Sequence, residues 1–130
     1  MTFDSNAFQK FSFTDEQLAR LLEGAMRDLS IAKHSELSEV RFKFTYDALI
    51  KMGLLVIAKE GYRVRSASGH HVWILQKTSE LLNNGDLAVI GNVMRQKRNR
   101  DLYDGVCTVS EKEAIDYLVF VEKLGRMCDR

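Results

Sequence analysis

The side chains best placed to do chemistry in this 130-residue chain lie together in Arg95-Gln96-Lys97-Arg98-Asn99-Arg100-Asp101-Leu102-Tyr103, where four of the first six are basic. Guanidinium and ammonium groups at this density suit a phosphate, whose oxygens accept several charge-assisted hydrogen bonds. At about 100° per residue on a helix, Arg98 falls in the sector of Leu87, Met94 and Leu102, while Lys97 and Arg100 point elsewhere. An arginine on a packing side is costly to bury alone, so it needs a carboxylate, a ligand phosphate or an open groove. Asp101, three residues on, is within helical reach as that carboxylate. Two readings stand side by side. One is a structural pair or a solvated basic helix end. The other is a phosphate or nucleic-acid site built from Arg95, Lys97, Arg98, Asn99 and Arg100.

The histidines add less. His70 and His71 are neighbours, so on a helix their side chains diverge by about 100° and cannot clamp one metal ion as an i, i+4 pair could. His71 falls on an apolar side, where a hydrogen-bonded interior imidazole is the ordinary expectation, and His70 and His34 are expected to face solvent. Cys107 and Cys128 lie far apart with no CxxC spacing, which argues against a zinc site and a disulfide scaffold. No glycine cluster cradles a phosphate between a strand and a helix, and no nucleophile elbow, paired-carboxylate signature or DNA-reading fingerprint is present. No metal and no cofactor are expected.

Helices must position these residues. The chain has no proline, where average usage would supply roughly six or seven, so nothing of that kind interrupts a helix. With 45% hydrophobic and 28% charged residues, and 19 basic against 18 acidic side chains, the chain reads as one globular domain with no overall pull toward nucleic acid or anionic membrane. The start has neither the basic region nor the apolar core of a signal peptide, and the longest apolar run, Met52 to Ala58, is far short of the roughly 20 residues of a membrane helix. A cytoplasmic protein without a membrane partner is expected.

Residues 1–13, with Phe3, Phe8, Phe11 and Phe13, lack a clean period and read as an arm packed onto a single domain over 14–130. Thr14 and Gln17 predict a capping box for a first helix carrying Leu18, Leu21, Leu22, Ala25, Leu29 and Ala32. A second helix starts near Ser35 or Ser38, runs to about Glu60 and ends at Gly61 in a left-handed cap. From Ala48 on, apolar side chains surround much of its axis, which predicts a central or dimer-facing helix. Tyr62 to Gly69 alternates briefly, finds no evident strand partner and reads as a loop. Ser68 is placed to cap a third helix to about Leu82, and Asp86 a fourth that ends at Tyr103-Asp104-Gly105. Ser110-Glu111-Lys112-Glu113 boxes a fifth with the stripe Ala114, Tyr117, Leu118, Val121, Leu124, Gly125 and Cys128. Gly53 and Gly91, inside helices at about 1 kcal/mol each relative to alanine, point to close helix approach. Five helices with short connections predict an all-α, antiparallel up-and-down bundle.

Three of these segments together resemble the HEPN (higher eukaryotes and prokaryotes nucleotide-binding) superfamily: the second-helix stretch Glu39 to Ile50, then Gly61-Tyr62-Arg63-Val64 with Gly69-His70-His71 opening a helix, then Arg98-Asn99-Arg100-Asp101-Leu102-Tyr103. The resemblance spans residues 14 to 130 and rests on the order and spacing of the motifs. It implies an up-and-down bundle that dimerises, with kinship to ribonuclease toxins, defence proteins and partners of nucleotidyltransferases. In catalytic members an arginine and a polar residue are followed by a histidine after four to six residues. Arg98 and Asn99 fit the first two positions, and Tyr103 stands where the histidine belongs.

That resemblance implies that the histidine helps move the proton of an attacking 2′-hydroxyl while the arginine stabilises phosphate charge. Tyrosine titrates near 10 against about 6.5 for histidine, so Tyr103 is a poor base at neutral pH, although it can hydrogen-bond a phosphate. His70 or His71, from another helix or subunit, are the candidate accessory groups. The sequence thus leads to a HEPN-like homodimer that binds RNA or a nucleotide at Arg98, Asn99 and Tyr103 in a toxin–antitoxin or defence setting, with a nucleotidyltransferase-type protein as a partner and ribonuclease activity weakened by Tyr103. The alternative is a non-catalytic dimerisation and protein-interaction module in which Arg98 is structural.

Overall fold

In a computed structural model, which describes residues 2–128, the chain order is β1 (Phe8–Lys10), α1 (Asp15–His34), α2 (Ser38–Lys59), β2 (Tyr62–Val64), α3 (His70–Leu81), α4 (Gly85–Asp104) and α5 (Glu111–Cys128). The last two residues of the expected 14–130 domain lie outside the described residues. The result is an all-α helical bundle with one small sheet against it. Both expected capping boxes form: Thr14 Oγ1 accepts from the Gln17 amide while Gln17 Oε1 accepts from the Thr14 amide, and Ser110 and Glu113 repeat the exchange at α5. These boxes satisfy amides that a helix start leaves unpaired.

Helix α2 is the central element of the two expected alternatives, because it packs against α1, α3, α4 and α5. Its buried side chains include Phe42, Tyr46, Leu49, Met52, Leu55 and Ile57, which wrap around the axis as a helix enclosed by neighbours requires. The stripe on α5 is buried at Ala114, Leu118, Val121, Leu124, Gly125 and Cys128.

Several local expectations need correcting. Residues 62–64 are not loop but β2, paired antiparallel with β1, with Phe8 opposite Val64, Gln9 opposite Arg63 and Lys10 opposite Tyr62. The partner lies in the arm, far away in sequence and too short to show a period. Phe3 stacks on Tyr62 with ring centroids 3.9 Å apart and meets Phe8 edge-on, which fastens the arm further. Caps also differ. Helix α2 does start at Ser38, one of the two expected starts, but α3 is capped by Gly69 at φ +79° and not by Ser68, and α4 by Asn84 and not by Asp86. Leu37, Gly69 and Asn84 make no side-chain cap hydrogen bond, while Ser35 Oγ accepts from the Leu37 amide at 3.2 Å and Asp86 sits in the first turn of α4, where a carboxylate suits the helix dipole. Leu102, expected on the packing side of α4, is 67% exposed, because that end of the helix runs beyond the core.

Two glycines set the spacing around α3. A Cβ on Gly53 would stand 2.5 Å from Ile74 Cγ2 and 2.8 Å from Thr78 Oγ1, and one on Gly91 would stand 2.8 Å from Leu75 Cδ2. Both are the close approaches that their cost in a helix interior suggested. Tyr46 meets His71, and Gly53, two turns further on, meets Ile74 and Thr78, so α2 and α3 run in the same general sense. Residues 60–69, including β2, bring the chain back to the level of Tyr46 before α3 begins. Among the described residues no helix is long and apolar enough to cross a membrane.

Candidate phosphate site at Arg98

Tyr46 and Gly53 are seven residues apart on α2, as are Gly91 and Arg98 on α4, so each pair shares a helix face. The glycines that draw α3 in therefore also bring three side chains together two turns away. Tyr46 is fully buried, its hydroxyl lies 2.9 Å from His71 Nδ1, and the Arg98 guanidinium sits over its ring at 5.4 Å from the centroid. A buried tyrosine hydroxyl needs a partner, and the half-buried imidazole supplies one. Gly69 at positive φ starts α3 at the residue before the histidine pair, and His70 Nδ1 donates to Ala67 O at 2.8 Å. The His70 and His71 rings meet edge-on, with centroids 4.6 Å apart.

Positive charge outnumbers negative at this point. Burial pushes the Tyr46 phenol up to about 12, opposed by the charges of Arg98 and Arg95. Burial also lowers the pKa of His71 from its usual value, and His70 and Arg98 lower it further. The carboxylate that favours charge on His71 is Asp47, itself 3.3 Å from Lys43 Nζ. Both groups are thus held neutral at neutral pH, and the formal charges beside them are Arg98, Arg95 and the Asp47 carboxylate.

The other basic residues of the segment are disposed differently. Lys97 Nζ bonds Glu113 Oε2 on α5 at 2.8 Å, and this bond, helped by the Ser110 amide, holds the Glu113 carboxyl down at about 2. Arg95 donates from Nε and Nη2 to Asn92 Oδ1 at 3.0 and 2.8 Å. Asn99 is partly buried and Arg100 exposed. Asp101 faces Thr108, accepting from its amide at 2.9 Å and its hydroxyl at 2.8 Å. Among the described residues, no carboxylate stands within ion-pair distance of Arg98.

Arg98 also borders a groove of about 460 Å³ between the start of α2 and the end of α4, walled by Glu39, Phe42, Lys43, Asp101, Leu102 and Val106. Tyr103 stands on the last turn of α4, about 140° around the wheel from Arg98, and is 85% exposed. The structure thus brings Arg98 and His71 to one tyrosine, sets Tyr103 apart and ties Lys97 to α5. Sequence reasoning did not single out Tyr46, which entered only as part of the stretch Glu39 to Ile50. The available signal was a tyrosine within the most apolar helix, whose hydroxyl had to find a partner. Among the described residues no three His, Cys, Asp or Glu side chains gather as a metal site. Comparison with protein-family models, curated proteins and solved structures gives no match.

Proposed function

We propose that this protein binds the phosphate groups of RNA or a nucleotide at Arg98, in the manner that its HEPN-like motifs imply, within a toxin–antitoxin or defence system. One observation carries the reading. Arg98 is a partly buried guanidinium, oriented on the Tyr46 ring, without a carboxylate partner among the described residues and open to a groove. A structural arginine in that position calls for a counter-ion, and Asp101, the nearest candidate in sequence, is engaged by Thr108. An arginine left with free donors matches phosphate geometry. Binding, and not RNA cleavage, is the activity these residues support best, since Tyr103 stands where the motif calls for histidine and is a poor base at neutral pH. The test is binding of labelled single-stranded RNA across a salt series by wild type and Arg98→Ala, with circular dichroism to check the fold. Binding that weakens with salt and with the substitution supports the site, whereas affinity indifferent to both removes it.

The second reading, a homodimeric interaction module without catalysis, draws on the apolar side chains that α4 and the turn after it leave in water: Val89, Leu102, Tyr103 and Val106, each more than half exposed. Light scattering coupled to size exclusion tests it. A dimer that Leu102→Glu dissociates supports this reading, and a monomer at all concentrations opposes it.

A further inference from the structure

Arg98 does not face Tyr46 alone: the His71 imidazole, bonded to the Tyr46 hydroxyl, meets the same side chain. We infer that His71 is the second arm of the Arg98 site, donating its Nε2–H to a phosphate oxygen when a phosphodiester binds and taking up a proton from solvent at Nδ1 as it does so. This rests on the phosphate-binding reading above and adds a regulation that the motif residues do not contain.

The geometry supplies the parts. Tyr46 holds His71 through Nδ1 at 2.9 Å, which fixes the ring and leaves Nε2 as the nitrogen available to a ligand. The same Tyr46 ring carries Arg98, so the two arms flank one rigid, fully buried side chain. A hydroxyl both donates and accepts. With neutral imidazole, Tyr46 donates to Nδ1; with imidazolium, the phenol rotates its proton away and accepts from Nδ1–H. The ring position survives either state. A carboxylate in place of Tyr46 would hold the imidazole protonated at all times, whereas a neutral phenol leaves that choice to whatever occupies the site.

The surroundings favour the neutral form of His71 in the free protein. Facing His71 are Tyr46 and Asp47 from α2, His70 from α3, and Arg95 and Arg98 from α4. Burial and the three cationic or ionisable neighbours disfavour a proton, and Asp47 favours one. A phosphodiester reverses the balance by setting a negative charge against Arg98 and Nε2. The one bond formed is Nδ1–H, its proton supplied by solvent, so one proton enters with each ligand. Because the bound state holds more protons, affinity must rise as pH falls between the bound and free pKa values of His71.

The test uses an oligouridylate, whose phosphodiesters and bases keep one protonation state across the range, and follows its binding from about pH 7.5 to about pH 5.5. Wild type should bind about tenfold more tightly at the lower end, which corresponds to a rise of about one unit in the His71 pKa on binding. NMR titration of the imidazole in the wild-type protein, with and without oligouridylate, reads that rise directly and needs no variant to fold. His71→Gln should flatten the pH profile, and His34→Gln, on α1, should leave it steep. If Arg98-dependent binding has the same pH profile in wild type and His71→Gln, or if the His71 titration midpoint does not move with RNA, the inference is overturned while the phosphate reading stands. If wild type binds no RNA at any pH, both fall together.

Discussion

Lys77 and Arg98 each set a cation over an aromatic ring, and they end in opposite situations. Lys77 on α3 lies 4.8 Å from the Phe3 ring centroid and 5.9 Å from that of Phe8, and its ammonium is closed off by Thr2 O at 2.7 Å and Glu80 Oε2 at 2.8 Å. Arg98 lies over Tyr46 with no carboxylate at ion-pair distance among the described residues, beside a groove walled in part by Glu39 and Asp101. The ring contact is worth about as much in either place, so it does not separate the two roles. The remaining donors do. A cation whose donors bond protein oxygens, as Lys77 bonds Thr2 O and Glu80 Oε2, fastens the fold, here the N-terminal arm, and one whose donors bond none is available to a ligand.

The contrast can be broken at its common support first. Gly53→Leu forces α2 and α3 apart where Ile74 and Thr78 approach, and α3 carries both Lys77 and His71. A loss of about 3 kcal/mol in urea unfolding is expected, together with loss of RNA binding. Lys77→Ala removes the bonds to Thr2 and Glu80 and the packing on two rings. It should cost about 2 kcal/mol of stability and leave RNA affinity unchanged. Tyr46→Phe deletes the hydroxyl that holds His71 and should cost about 1 kcal/mol, with the pH profile of binding blurred as the ring loses its anchor.

Acidification is a gentler probe of the same site. The folded pKa of His71 lies below its unfolded value near 6.5, so between the two the unfolded chain binds the extra proton and the native state does not. Stability therefore declines as pH falls from about 6.5 toward the folded pKa and levels off below it. His71→Gln should remove that part of the decline in thermal unfolding. Tyr46 acts at the other extreme: its phenol is raised to about 12, so the stability it contributes is whole below about 10 and is lost as pH rises toward 12.

Much of the bundle was legible from local rules. Thr14 with Gln17 and Ser110 with Glu113 marked helix starts because capping boxes are confined to four residues. Gly53 and Gly91 marked tight contacts because glycine is otherwise penalised in a helix. The β1–β2 pairing was illegible, since Phe8 and Val64 lie far apart in sequence and each strand has three residues. The site was half legible. Arg98 stood out as a charge on an apolar sector, and His71 as an imidazole on another. Their meeting at Tyr46 depends on α3 returning to the level of α2's midpoint through residues 60–69, which no local pattern encodes.

Arg98→Ala should have the smallest effect on stability, within about 0.5 kcal/mol, since no ion pair is lost among the described residues. Measured beside Lys77→Ala, it tests the open-cation claim most directly, by RNA affinity and thermal unfolding on the same samples. Loss of about tenfold or more in affinity at unchanged stability for Arg98→Ala, with the reverse pattern for Lys77→Ala, is the expected result. Equal RNA affinity in Arg98→Ala and wild type, or affinity lost only in step with the fold, would contradict it.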